Sequence, residues 1–192
     1  MQTPLIQSLS FLIQVSFGLY FLMVLLRFLF QYFHISFANP ISQLILKGTN
    51  PILIPMQRVI PRYKNIDLSI ILLLIGIKAL ELSLLTLLST ASVPKPLGLI
   101  IWPLCSILAQ SVNVFFFATL IISLLSWFMP MHHTPATSLL LQLTEPLMRP
   151  ARRLLPATGG FDFSPVVVLI GLKLIDILLV NPLLNLGLLL SL

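Results

Sequence analysis

Two pairs of opposite charges lie inside apolar stretches of this chain. Lys78 and Glu81 are three residues apart, and Lys173 and Asp176 repeat that spacing. Residues three apart share one face of a helix, so each pair can form an ion pair. A charge at the bilayer centre costs at least about 2.5–3.5 kcal/mol on insertion scales. Such pairs therefore indicate either an ion or proton site between helices, or structural ion pairs that orient the helices; in both cases we expect both lysines to face the protein interior.

Two amides and one arginine extend this polar set. Gln110 and Asn113, also three apart, reach a similar depth on another apolar stretch, so we expect them to complete one intramembrane cluster with the charged pairs. Arg27 lies near the downstream end of its own apolar stretch. We expect its side chain either to extend to the cytoplasmic headgroups or to pair with an acidic residue such as Glu81 or Asp176.

A motif rich in proline and arginine occurs twice, at an offset of 95 positions. Its first copy contains Thr49, Pro51, Pro55, Arg58, Pro61, Asp67 and Ser69, which reappear as Thr144, Pro146, Pro150, Arg153, Pro156, Asp162 and Ser164. At this offset, 14 of the 39 positions in residues 40–78 are identical. The sequence therefore predicts two tandem repeats, residues 1–96 and 97–192.

Composition limits the class of protein. Hydrophobic residues make up 58% of the chain and charged residues 8%, against about 25% charged in soluble domains. The stretches between apolar runs, 33–65 and 129–162, are too short to bury a core, which usually needs about 40 residues. No phosphate-binding or nucleophile motif occurs. We predict an integral membrane protein that is not an enzyme and has no cofactor.

Four apolar stretches are long enough to cross a bilayer as helices. They run approximately over Leu5–Phe33, Ile66–Ser89, Leu97–Phe128 and Phe163–Val180, and Asn181–Pro182 is expected to bend or end the last. The predicted fold is an all-α membrane protein. Each repeat contains a transmembrane helix, an interfacial amphipathic helix with the proline–arginine segment, and a second transmembrane helix.

The amphipathic helices are predicted at Pro40–Gly48 and Pro135–Leu143. Each would be only about 14 Å long, so neither is expected to cross the bilayer. Gly48 is expected to end the first. The motif prolines that follow are expected to divide the chain into short pieces, because proline lacks a backbone donor.

Basic residues set the expected orientation. The stretches 33–65 and 129–162 hold seven of the eleven Lys and Arg, whereas only Lys95 lies in the connection on the opposite side. The positive-inside rule then places both basic loops in the cytoplasm. Arg58, Arg149, Arg152 and Arg153 suit anionic lipid headgroups, or a cytoplasmic protein partner, since both use the same chemistry. Direct binding of nucleic acid is not expected. The three histidines at this end, His34, His132 and His133, have no carboxylate nearby in sequence, so no metal site is predicted.

The repeated pattern Pro-x-x-x-Pro-x-x-Arg-x-x-Pro followed by Asp-x-Ser resembles the YggT family, also called YlmG. The second copy is more similar than the first, in which Lys64-Asn65 stands in place of Gly159-Gly160. The resemblance implies a small bacterial or plastid multipass protein with two copies of the unit; in bacteria this means the inner membrane. It also implies a link to cell division and nucleoid distribution, to cytochrome b6 maturation, or to osmotic and ion tolerance.

Two functions fit these observations. The first is a non-enzymatic scaffold or assembly factor, which the basic loops, the interfacial helices and the small size favour. The alternative is an ion transporter or channel component that uses the charged residues at the membrane centre. Assembly into a homo-oligomer is compatible with either function.

Overall fold

The structure, a computed structural model, describes residues 4–60, 67–90, 94–128, 134–154 and 162–190. Every regular element in these ranges is helical. The helices are α1 (Pro4–Tyr32), α2 (Pro40–Val59), α3 (Leu68–Thr90), α4 (Gly98–Phe128), α5 (Pro135–Leu154), α6 (Ser164–Ile175) and α7 (Asn181–Leu189), with a π-helical turn at Asp176–Val180 between α6 and α7. The motif residues Pro61 and Pro156, together with His132 and His133, lie outside the described residues.

Four helical stretches are long and apolar enough to cross a membrane. They are Pro4–Tyr32, Leu68–Ser89, Gly98–Ser126 and Ser164–Leu189. The amphipathic helices α2 and α5 are not among them. The all-α fold with four candidate spans is therefore confirmed for the described part of the chain.

The spans pack in a row. α1 packs on α3, α3 on α4, and α4 on α6 and α7. α2 covers one end of the α1–α3 pair, and α5 covers the α4–α6 pair. Fully buried side chains fill the first half; among the largest are Phe21, Leu25, Leu53, Ile70 and Leu74. This burial holds the row together and places α3 and α4 at its centre.

The amphipathic helices are longer than predicted. α2 and α5 each have 20 residues, because α2 continues through Gly48, Pro51 and Pro55 and α5 continues through its own two prolines, Pro146 and Pro150. The expectation that Gly48 ends α2 and that these prolines break the helices is wrong. The two prolines of α2 are four residues apart and both are exposed, so the carbonyls that lose their donors lie on one outer face. The opposite face stays buried and stabilises the helix.

The last span also continues further than expected. Asn181–Pro182 does not end it, and the helix runs on to Leu189. The backbone N–H of Asn181 bonds to the carbonyl of Asp176, five residues earlier. This wider turn accommodates Pro182, which cannot donate a bond of its own.

Candidate functional site

The first intramembrane pair, Lys78 with Glu81, is buried at the centre of the row. The Lys78 Nζ lies 2.7 Å from the Glu81 Oε2. The two side chains are only 15% and 7% exposed. Since α3 packs between α1 and α4, the pair lies among three spans, as predicted for Lys78.

Aromatic rings complete the surroundings of Lys78. Its Nζ lies 4.8 Å from the centre of the Phe21 ring and 5.8 Å from that of Trp102. Both rings can stabilise the ammonium through cation–π attraction. Trp102 packs closely against α7 at Gly187. A Cβ added at Gly187 would lie only 3.0 Å from the Trp102 Cα. Lys78 is thus enclosed by groups from α1, α3 and α4.

The second pair has a different environment. Lys173 Nζ lies 2.6 Å from Asp176 Oδ2, but the Lys173 side chain is 58% exposed and that of Asp176 is 18% exposed. The prediction that Lys173 faces the protein interior is wrong. Its pair lines a crevice of about 160 Å³ on the outer surface of α4 and α6, beside Asn113 and Phe117. The same spacing of charges therefore gives one buried and one exposed ion pair.

The predicted single polar cluster is also wrong. Lys78 lies at Trp102, whereas Lys173 shares its crevice with Asn113, 11 residues further along α4. Eleven residues of helix span about 16 Å. Gln110 and Asn113 both line a neighbouring groove of about 520 Å³ between α1, α4 and α5. The polar groups thus occupy separate places on the row.

Arg27 joins α1 to α2. Its side chain is buried, and Nη1 donates to the Thr49 Oγ1 and to the Asn50 Oδ1, each at 2.6 Å. The expectation that Arg27 extends to the headgroups is wrong, because its side chain is buried inside the protein. Thr49 in turn donates to the carbonyl of Ile45 at 2.7 Å. At the offset of 95, the counterpart of Arg27 is Ile122, so α5 is held without this arginine.

The motif aspartates connect each amphipathic helix to the next span. Asp67 accepts from the Ser69 N–H at 3.1 Å and from Gln57 Nε2 at 2.6 Å. Asp162 accepts from the Ser164 N–H at 2.9 Å and from Arg152 Nε at 3.2 Å. Asp67 therefore caps the second span, whereas Asp162 lies one residue before the N-cap of the last span and accepts from its first N–H. Each aspartate also binds the last part of the preceding amphipathic helix. Gln57 and Arg152 occupy the same position at the offset of 95.

The two aspartates differ in exposure, and this difference sets their expected importance. Asp67 is 1% exposed, whereas the side chain of Asp162 is 43% exposed. Asp67→Ala should lower the free energy of unfolding by about 1–2 kcal/mol, because it removes a cap and leaves Gln57 unpaired. Thermal unfolding of the whole chain in detergent measures this effect. Asp67→Asn should cost much less, since asparagine also caps helices; an equal loss from Asp67→Asn would contradict this role.

The Ser164 side chain and backbone N–H, with Arg152 beside them, hold the pKa of the Asp162 carboxyl below its ordinary value. The stabilisation from this carboxylate is present above the unfolded pKa of about 3.9 and is lost as the pH falls through the lower folded pKa. Arg152→Ala should raise the folded pKa, as followed by carbon NMR of labelled aspartate. Arg149→Ala is the matched control, because Arg149 pairs with Glu145 instead. Equal titration in both variants would exclude Arg152 as a cause.

Basic side chains remain on the outer faces of α2 and α5. Arg149 is 72% exposed and Arg152 49% exposed, and both lie near Glu145, at 3.0 and 3.7 Å. Lys47, Arg58 and Arg153 are also exposed. Lys47 borders an open groove of about 460 Å³ beside Pro51 and Pro55. Within the described ranges, no three His, Cys, Asp or Glu side chains form a group that could hold a metal ion.

Comparison with known proteins gives two matches to one family model. The model, described as CCB3/YggT, matches residues 6–88 and again residues 101–183. The chain belongs to the CCB3/YggT family. The resemblance based on the repeated motif is therefore confirmed. The two matched segments begin at residues 6 and 101, which are 95 residues apart.

Similar proteins cover most of the chain. A Pseudomonas aeruginosa protein described as uncharacterized is 40% identical over 172 residues, which is 89% of this chain and 87% of the relative. A Vibrio alginolyticus protein is 37% identical over 90% of this chain and 93% of its own. The Escherichia coli protein described as uncharacterized protein YggT is 36% identical over 88% of this chain and 87% of its own. No solved structure matches this YggT-family chain.

Proposed function

We propose that this protein is a non-enzymatic scaffold or assembly factor of the bacterial inner membrane. Its two amphipathic helices would lie on the cytoplasmic surface. One observation carries the proposal: both helices are fastened to spans by polar contacts. Arg27 and Asp67 hold α2, and Asp162 holds α5 through Arg152. A fixed basic surface of this kind suits the assembly of other components, in cell division, nucleoid distribution or the biogenesis of membrane complexes.

The intramembrane charges support a structural role. Lys78 is paired and enclosed by aromatic rings, and Lys173 lies on an outer surface at another position along α4. An ion pathway needs charged groups that line a common route through the protein. The separation of the two pairs favours the scaffold over the alternative function, an ion transporter or channel component.

We also infer that the two halves arose as repeats of one unit, residues 1–96 and 97–192. The two family matches, the offset of 95 and the equivalent contacts of Asp67 and Asp162 support this inference. In two repeats with one orientation, both basic surfaces lie on the same side of the membrane.

The expected orientation gives a direct labelling experiment. In a Cys105→Ala background, Lys64→Cys and Gly159→Cys should react with an impermeant maleimide only after spheroplasts are permeabilised, because the positive-inside rule places both positions in the cytoplasm. Lys95→Cys is the matched control and should react in intact spheroplasts. Reaction of Lys64→Cys or Gly159→Cys in intact spheroplasts would reverse the orientation. Lys64 and Gly159 lie outside the described residues.

The basic surface is tested by lipid binding. Arg58, Arg149 and Arg153 are exposed, so replacing all three with glutamine should leave the fold intact. Each basic residue near an anionic surface contributes about 1 kcal/mol to the free energy of binding. The amount of cardiolipin bound to the triple variant should therefore fall by about tenfold or more. Native mass spectrometry measures the bound lipid. Lys95→Gln should retain the parental amount, and unchanged binding by the triple variant would remove lipid anchoring from the proposal.

A further inference from the structure

The crevice between α4 and α6 exposes polar groups in the middle of a candidate span. Lys173 is nine residues beyond Ser164, which is about 14 Å of helix, near the centre of a hydrocarbon layer of about 30 Å. Its side chain is 58% exposed, and Asn113 beside it is exposed too. Acyl chains offer no hydrogen bonds to either group. A surface of this kind needs a polar partner at the same depth.

Asn113 is an exposed amide without a hydrogen-bond partner among the described residues. In the part of the chain that the structure describes, neither Asn113 nor Gln110 makes a side-chain hydrogen bond, and Lys173 uses one of its three donors on Asp176. Asn113 begins a row of exposed side chains on α4 at helical spacing. This row continues with Phe117, Ile121 and Leu124, which are 56%, 43% and 42% exposed. The face is therefore apolar with one amide and one ammonium at its centre.

A second copy of this chain meets this requirement by symmetry. Copies of one chain insert in the same orientation, so a symmetric pair has its two-fold axis along the membrane normal. Each residue then lies opposite the same residue of the other copy, at equal depth in the membrane. A polar group at this contact must therefore be able both to donate and to accept a hydrogen bond. An amide is both donor and acceptor, so Asn113 meets this condition. The Lys173 ammonium adds donors for the amide carbonyl of the other copy.

We propose that two copies of this chain associate in parallel through the α4–α6 face, with the two Asn113 amides hydrogen-bonded to each other. Hydrogen bonds between amide side chains are an established means of joining transmembrane helices. Phe117 and Ile121 line the groove of about 520 Å³ described above. In this dimer, these two side chains of each copy cover the same groove of the other copy. The dimer also removes the Lys173–Asp176 pair from lipid. The inference goes beyond the scaffold function and does not depend on it.

Disulfide cross-linking of the whole chain in liposomes tests the proposal. In a Cys105→Ala background, Phe117→Cys should form a cross-linked dimer on oxidation. Leu108→Cys is the matched control: Leu108 is nine residues earlier, half a turn round α4, and is also exposed, at 37%. Leu108→Cys should stay monomeric. Equal cross-linking of both variants, or none by Phe117→Cys, would overturn the proposal.

A second measurement examines Asn113 itself. Asn113→Leu should weaken dimerisation in liposomes by roughly tenfold, as followed by single-molecule photobleaching at decreasing protein density. Among the described residues Asn113 has no side-chain hydrogen bond, so the melting temperature of the variant monomer should match that of the parent. Unchanged dimerisation with unchanged melting would show that the amide is not at the contact. A parent protein that is monomeric at every density would exclude a second copy and leave a different membrane protein to cover the face.

Discussion

Lys78→Met should lower the free energy of unfolding by about 3–5 kcal/mol, because it leaves the Glu81 carboxylate buried and without its cation. Glu81 lies 2.7 Å from the Lys78 Nζ and is 7% exposed at its side chain, so neither water nor headgroups can replace the ammonium. The loss should be visible as a large decrease in folded protein and in the melting temperature in detergent.

Removing both partners separates a structural pair from a functional one. Lys78→Met with Glu81→Leu should restore most of the lost stability, since apolar residues can replace a buried ion pair at little cost. Lys173→Met is the matched control. It should cost much less than Lys78→Met, because the Lys173 side chain is 58% exposed. A Lys78→Met protein as stable as the parent, or a double variant no better than the single one, would contradict a buried structural pair.

Arg27→Leu should release α2 from α1. The substitution removes two charge-assisted hydrogen bonds at 2.6 Å, to Thr49 and Asn50, and such bonds contribute about 1.5–3 kcal/mol each. We expect a loss of about 3 kcal/mol and faster hydrogen exchange along α2, with exchange in α5 unchanged.

Arg58→Leu provides the control for Arg27→Leu. It removes the same charge from an exposed position on α2 and should leave both stability and exchange nearly unchanged. Exchange that rises equally in α2 and α5, or that does not rise at all, would show that Arg27 does not hold α2 in place.

The sequence predicts what depends on local spacing. Four candidate spans follow from apolar length, and the Lys78–Glu81 and Lys173–Asp176 contacts follow from the i,i+3 geometry of a helix. The role of Asp67 is partly readable too, because an aspartate two residues before a serine at a helix start is typical of a cap.

Properties set by neighbours in space could not be predicted. Lys78 and Lys173 have the same local pattern, yet α3 has spans on both sides whereas this face of α6 borders only α4 and the surface. Nothing near Phe21 or Trp102 in the sequence indicates that their rings meet Lys78. The bond from Arg27 to Thr49 likewise joins residues 22 positions apart.

The prediction that the motif prolines break the amphipathic helices was wrong for a related reason. Proline disfavours the interior of an isolated helix, but α2 and α5 each bury one face against two spans. That burial outweighs the lost hydrogen bonds when both prolines lie on the exposed face. Tertiary contacts, which single-residue propensities omit, therefore set the length of these helices.

Ion flux in proteoliposomes tests the central claim, that the buried Lys78–Glu81 pair is structural and that the intramembrane charges do not conduct ions. The whole chain should give potassium, sodium and proton fluxes equal to those of empty liposomes. The double variant Lys78→Met with Glu81→Leu should behave identically. Flux above that of empty liposomes, abolished by Lys78→Ala with Lys173→Ala in protein that still folds, would contradict the claim and establish an ion pathway.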